Sequence, residues 1–433
     1  QFVVATIMPT ILADLGGVGL YTWAFSLFAV GAIMGAASAN ALRQAFGVRK
    51  AYAGAGLALG IGLAGAALAP NMETLVAFRL LQGIGGGAVA SQGYGLVAIA
   101  YPPHLRSRIL GVVSTIWGIA TLMGPGFGAA FAESGLWRGA FLGLLPLIVL
   151  FVLLAWQRVE GESGDGRLSD IPYRRLALLT FAVFLLSATS LTDAVWLRVA
   201  FAITAIAFTI LTFRLDSTAD RNMFPRGATD VTTELGAVYW ILFLGSIVLA
   251  IVNTYSTFYL QALHGVSPLV AGYLFAIQSI MWTTSAIFVS MLPRSCETGS
   301  IVAGLVFILI GATGIAFLVD SGPVIPLAIA IALTGVGLGC INNPTIQRII
   351  GIVPETEAHM AGASVQAIRN IGISFGAAAS GMVAAVTGLA EGAGREAVAF
   401  SMSWVYGANA AIAVLALAMV IPMLIARRRA ARD

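Results

Sequence analysis

The run AFLGLLPLIVLFVLLAW, residues 140–156, carries no ionisable side chain in 17 positions. A helix of about 20 such residues crosses the hydrocarbon core of a bilayer. Comparable runs lie near 1–13, 20–42, 51–69, 74–99, 108–132, 138–156, 175–192, 194–213, 235–260, 268–291, 299–319, 323–346, 357–388 and 399–426. Inside a bilayer every backbone polar group must be satisfied within its own helix or a closed barrel. The runs are of helical length and not the alternating ten-residue segments of a barrel, so an all-α polytopic membrane protein is expected. With 59% hydrophobic and only 10% charged residues, the chain could not coat a soluble surface of this size. Residues 175–213 as one helix would run about 58 Å at 1.5 Å per residue. Two spans hinged at Thr192-Asp193, with Asp193 facing outward, fit better, and the expected total is 14 spans.

The charges indicate topology. Of the 23 Lys and Arg, 18 fall in alternate loops or the C-terminal tail, including Arg43, Arg49, Lys50, Arg348 and Arg427. By the positive-inside rule that side is cytoplasmic, with both termini on it. The net charge of +4 is therefore a matter of orientation and implies no nucleic-acid partner. Lys50 is the only lysine, and Ala and Gly are abundant, as in a GC-rich bacterial genome; a bacterial inner (plasma) membrane is the expected location. The opening QFVVATIMPTI reads as the second half of a helix. The polar stretches 157–174 and 214–234 divide the chain into 1–157, 158–234 and 235–433: six helices, two linker helices and six helices with a basic tail. No residue-level repeat stands out between the halves.

None of the 19 acidic residues falls at the middle of a span. Polarity there comes from amides, hydroxyls and two arginines, Arg79 and Arg369, and it is unevenly spread. Arg79, Gln82, Gly83 and Gly86 share one helical face, as do Trp117, Thr121 and Pro125. Further polar positions are Asn253 and Thr257; Gln278 and Trp282; Asn342 and Asn343; and Gln366, Arg369 and Asn370. Such stripes arise from interhelical packing or from helices that line a shared wet cavity. Their concentration on a few helices favours the cavity, and these side chains are its candidate lining.

Three stretches carry a resemblance: FRLLQGIGGG on the fourth span, GIATLMGPGFGA on the fifth and LRQAFGVRK between the second and third. In order and spacing they resemble the signatures of the major facilitator superfamily. The opening segment, ASVQAIRNIGISFGAA, YLQALHGVSPLVAG and WRGAF look like its 14-helix drug:proton antiporter branch. The resemblance implies two six-helix bundles plus two linker helices, with Gly47, Arg49, Lys50, Gly83, Gly124, Pro125 and Gly128 in conformational motifs. Pro125 is expected to kink its helix, and the Gly124–Gly128 face to meet the other half. Two departures stand out: Gln44 replaces the loop's usual acidic residue, and Phe2 a usual threonine.

The resemblance also implies that Arg79 faces the first helix and joins Arg369 in proton coupling; a snorkelling Arg79 is the plainer reading. An arginine as deep as Arg369 is expected to meet a carboxylate, and the family's first-helix aspartate, which would precede Gln1, is the candidate.

A secondary transporter exporting a hydrophobic or amphipathic small molecule by alternating access, in exchange for protons, follows as the leading expectation. Two arginines and no mid-membrane carboxylate suit neutral, zwitterionic or weakly anionic cargo. A lipid or glycolipid exporter is the alternative. A membrane-embedded enzyme is disfavoured, because His104, His264 and His359 are too dispersed for one site. No phosphate-binding loop motif occurs; no cofactor or metal is expected, and a monomer is.

Overall fold

The computed structural model describes residues 2–100, 103–159, 161, 164, 173–192, 194–218, 224–320, 322–354, 358–390 and 392–430. Side chains at 94–115, 117, 118, 294, 350 and 358–363, with Phe2, Asn40 and Ala430, lie outside that description, as do Asp193 and its expected orientation. The described elements are helical: α1 (Phe2–Leu15), α2 (Trp23–Phe46), α3 (Val48–Ala67), α4 (Met72–Ala100), α5 (Pro103–Glu133), α6 (Trp137–Leu142), α7 (Leu145–Arg158), α8 (Tyr173–Ala188), α9 (Val195–Ser217), α10 (Glu234–His264), α11 (Pro268–Ser290), α12 (Glu297–Leu318), α13 (Val324–Ile352), α14 (Ala358–Val386), α15 (Arg395–Ala418) and α16 (Val420–Ala430). Nine helical stretches among the described residues are long and apolar enough to cross a membrane.

Two expected spans are interrupted. The run near 138–156 is α6 and α7, separated by Gly143 and Leu144, and the final run breaks at Met419 into α15 and α16. At 175–213 the chain breaks into α8, a 3-10 turn Thr189–Leu191, and α9. Gly47 takes φ 80° between α2 and α3, which a residue with a Cβ rarely adopts, so the two helices can turn within one residue.

The helices before and after the α8–α9 pair pack in the same order. α2 lies on α4, α3 on α4 and α7, and α1 on α5; in the second set α11 lies on α13, α12 on α13 and α15, and α10 on α14. Glycines make the closest of these approaches. A Cβ at Gly83 or Gly87 would run into the backbone of Phe28 or Ala32 on α2, and one at Gly85 into Leu59 on α3. A Cβ at Gly335 or Gly339 would meet the backbone of Gln278 or Trp282 on α11, and one at Gly337 that of Gly304 on α12. Gly83, Gly85 and Gly87 stand at the same three steps from the start of α4 as Gly335, Gly337 and Gly339 from the start of α13. The halves therefore share a G-x-G-x-G element that one-dimensional comparison passes over.

Between the sets, α2 touches α14, α5 touches α11, and α1 touches α10 and α11. The hydrogen bonds across this seam lie toward the α1–α2 turn. Thr257 donates to the Ala5 carbonyl (2.5 Å), Tyr21 to the Thr254 carbonyl (3.0 Å), and the Leu269 N–H to Glu133 (3.4 Å). The Tyr21 and Tyr255 rings stack at 5.4 Å.

α8 and α9 pack on each other, and α8 reaches α2 and α14. Trp23 of α2 donates to the Ser187 carbonyl (3.0 Å), and its ring meets Phe184 edge-on. An ion pair between Arg175 and Asp216 joins α8 to α9, and Asp216 also accepts the Phe224 N–H (3.0 Å). On α9, Trp196, Val199, Ile203, Ile206 and Ile210 are exposed along one stripe. On α7, Leu147, Leu150 and Leu154 do the same. Such faces suit an apolar solvent.

Candidate functional site

Arg79 is buried, 3% exposed, two turns into α4. Its Nε donates to the Ala24 carbonyl (3.0 Å) and a terminal nitrogen to Gln82 Oε1 (2.5 Å). Its guanidinium lies 4.2 Å from the centre of the Phe28 ring. Gln82 in turn donates to the Gly62 carbonyl of α3 (3.2 Å). The shared face of Arg79 and Gln82 is therefore real, but it turns toward α2 and α3. The expectation that Arg79 and its glycines face the first helix is corrected: Gly83 and Gly87 are occupied by α2, and α1 lies on α5 instead. A snorkelling side chain is also excluded by this burial. Gln82, 2% exposed, belongs to the same nest and not to a cavity wall.

In the second set of helices a larger polar cluster forms. Asn343 donates to the Ala286 carbonyl of α11 (3.4 Å), and Asn342 donates to Asn343 Oδ1 (3.1 Å). Arg369 of α14 donates to Asn342 Oδ1 (3.1 Å), and its guanidinium lies 4.9 Å from the centre of the Trp282 ring. One turn away, Gln366 donates to Asn370 Oδ1 (3.2 Å). Trp282, Asn342, Asn343, Arg369 and Asn370 are half-buried and Gln366 is exposed. Five expected cavity residues and Arg369 thus stand on three helices: the amides of Asn343 and Asn342 lead to the guanidinium, and the Gln366–Asn370 pair lies beside it on α14.

Other expected positions do not join it. Gln278 is 1% exposed and donates to Thr334 (3.0 Å), so it fastens α11 to α13. Thr257 is fully buried in the seam with α1. Both are cavity residues on the sequence pattern; here Thr257 bonds a main-chain carbonyl and Gln278 a side-chain hydroxyl of a neighbouring helix, so both serve packing. Asn253 and Thr121 are half-buried, and the Trp117 side chain lies outside the described residues.

The motif glycines also need correction. A Cβ at Gly128 would stand 3.0 Å from the Val3 carbonyl, so Gly128 admits α1 of its own half. The other half is met by Pro125 and Gly126: a Cβ on Gly272 would stand 2.9 Å from Pro125, and one on Gly126 2.9 Å from the Tyr273 hydroxyl. Gly124 is buried, and α5 is continuous through Pro125. In the first turn of α3 Arg49 lies 5.2 Å from the Trp156 ring centre, while Lys50 is exposed.

One charged cluster looks in the sequence like loop charge alone. Arg348 of α13, its side chain 6% exposed, pairs with Glu297 (2.7 Å) and Glu234 (3.5 Å) and donates to Thr298 (2.9 Å). It ties the starts of α10 and α12 to the end of α13. The available signal was that all three charges stand at helix ends on the same expected side. At the opposite end, Asp14 accepts from Arg138 (2.7 Å) and Trp137 (2.9 Å), and this contact accounts for the WRGAF stretch. Among the described residues no group of three or more His, Cys, Asp or Glu could hold a metal ion.

Comparison with known proteins agrees with this architecture. A probable multidrug-efflux transporter of Mycobacterium tuberculosis (strain ATCC 25618 / H37Rv) is 28% identical over 403 residues, covering 88% of this chain and 84% of the relative. The multidrug efflux pump SdrM of Staphylococcus aureus (strain N315) is 24% identical over 65% of this chain and 63% of its own. Among solved structures, a bacterial homolog of the human lysosomal transporter Spinster, in an inward-facing and occupied conformation, superposes with a TM-score of 0.62. It is 20% identical and covers 98% of this chain and 92% of that one, a likeness of fold alone. The model of the Major Facilitator Superfamily matches residues 1–377, and the chain belongs to that family: it is a multi-pass membrane transporter and not an enzyme.

Proposed function

We propose that the chain exports hydrophobic or amphipathic small molecules by alternating access, in exchange for protons, across a bacterial plasma membrane. In this reading two six-helix bundles, 1–157 and 235–433, rock about the seam between them. The segment 158–234 contributes two linker spans, for 14 in all, as in the drug:proton antiporter branch. Both termini are cytoplasmic, the α1–α2 turn faces outward, and the protein acts as a monomer. Small molecules, protons and the bilayer are its partners.

The observation that carries the reading is the meeting of Trp282, Asn342, Asn343 and Arg369 from α11, α13 and α14, on faces that are not fully buried. Polar groups at membrane depth are costly unless they face a wet path or one another, and a cavity between the bundles is where transporters of this architecture hold cargo. The names of the relatives support export and small-molecule cargo. Arg79 and Arg369 are the candidates for coupling. Arg79 is locked among neutral partners, and Arg369 follows the amides of Asn343 and Asn342.

The test is flux of a panel of amphipathic compounds in proteoliposomes, with and without an imposed pH gradient. Uphill movement of at least one compound only when the gradient is present is expected. Flux indifferent to the gradient would remove proton coupling, and no flux of any compound would remove export.

A further inference from the structure

We infer that the C-terminal helix α16 holds the headgroup of an anionic phospholipid at Arg428 and Arg429, with the acyl chains along Ile421 and Ile425. Such a site lies apart from the polar cluster around Trp282 and is independent of the cargo.

α16 is a docked extension of the last span. Met423 is fully buried, Arg348 of α13 donates to its sulfur (3.3 Å), and Arg427 donates to Thr298 of α12 (2.7 Å). Thr298 accepts from Arg348 as well (2.9 Å), and α16 also packs on α10. These contacts bring Arg427 level with the first turn of α12, the depth at which the helices leave the apolar zone. The opposite face of α16 looks away from the protein. Ile421, Ile425 and Arg429 follow one another at steps of four, with Arg428 three beyond Ile425, so they share that face, and all four are exposed. Val414 and Leu415 of α15 are exposed above them. A face that is apolar along the span and turns to guanidinium at its end sets the charges at the height of lipid phosphates.

Topology asks only for positive charge on this side, which any loop supplies. α16 instead fixes two adjacent guanidiniums on a helix fastened at Met423 and Arg427. Arg427 is engaged with Thr298, whereas Arg428 and Arg429 make no ion pair or hydrogen bond among the described residues. Glu234 and Glu297, the carboxylates at the starts of α10 and α12, are taken by the buried Arg348. A guanidinium fork matches two phosphate oxygens. A choline headgroup carries the same phosphate with a cation beside it, which two arginines disfavour.

The test counts bound lipid by native mass spectrometry on delipidated protein in dodecyl maltoside, titrated with dioleoyl phosphatidylglycerol or dioleoyl phosphatidylcholine. Wild type is expected to retain one phosphatidylglycerol roughly tenfold or more tighter than phosphatidylcholine. Arg428→Gln/Arg429→Gln should weaken phosphatidylglycerol by roughly thirtyfold, about fivefold for each arginine near an anionic headgroup, and leave phosphatidylcholine unchanged. Arg428→Lys/Arg429→Lys should keep most of the affinity. Lys50→Gln/Arg226→Gln removes the same charge from two other exposed positions and should change nothing. Glycerol 1-phosphate, a phosphate monoester without acyl chains, should not displace the lipid. Should the double glutamine variant not fold, the two single variants carry the same comparison at about fivefold each.

Equal retention of the two lipids by wild type, or an undiminished preference in the folded glutamine variants, would overturn the site. An equal loss in Lys50→Gln/Arg226→Gln would assign the effect to net charge, and displacement by glycerol 1-phosphate would assign it to a free phosphate; either result also overturns it.

Discussion

Arg79 and Arg369 pose one problem, a guanidinium at membrane depth, and the fold answers it in two ways. Arg79 is surrounded by a main-chain carbonyl, an amide and a ring face; Arg369 is half-buried, bonded to Asn342 and laid over the Trp282 ring. The pairing of Arg79 with Gln82 was legible, because i and i+3 share a helix face. Which neighbour that face meets was not, since periodicity gives a direction on a helix but names no partner. For the same reason Thr257 and Gln278 could not be told apart from cavity residues: a hydroxyl or amide reads alike whether it meets water or a polar group of the next helix. Arg79→Lys is expected to destabilise the protein by about 1–3 kcal/mol, because an ammonium cannot serve Ala24, Gln82 and the Phe28 face together and leaves a buried acceptor unmet. Thermal unfolding of the purified variant in detergent checks this; a melting curve that superposes on wild type would show that the nest is not structural.

At the scale of elements, helix identity was nearly all in the apolar runs, while breaks within them were not. The stops at Gly143–Leu144 and Met419 are each followed by a proline in the first turn of the next helix, Pro146 and Pro422, a mark that hydropathy alone passes over. The repeated glycines at 83, 85, 87 and 335, 337, 339 were visible letters whose equivalence shows only once each is seen to admit the second and third helices of its own set. Gly83→Ala and Gly335→Ala should each cost about 1–3 kcal/mol, since the new methyl meets backbone and a whole helix must shift. Gly407→Ala, where nothing stands within 4 Å, should cost nothing. Unfolding midpoints for the three variants test the contrast, and equal effects at all three positions would contradict it. The buried Arg348 pairs were hidden in the same way, because three separate charges in the sequence become one interhelical tie where α10 and α12 start beside the end of α13.

The whole molecule has two helix sets with the same internal packing, joined by a seam whose hydrogen bonds gather toward the α1–α2 turn. Alternating access requires that this seam open as the far ends approach, and the movement should be rigid-body because each set is internally clamped by glycine contacts. The most direct measurement is a pair of spin-label distances in nanodiscs, after replacement of Cys296 and Cys340. One pair sits at Leu136 and Leu269 near the seam, the other at the exposed Gln44 and Met291 toward the opposite end. When a transported compound is added or the pH is lowered, the first distance is expected to lengthen and the second to shorten. Two distances that stay fixed, or that change in the same direction, in a protein that still carries out flux would contradict rocking about this seam.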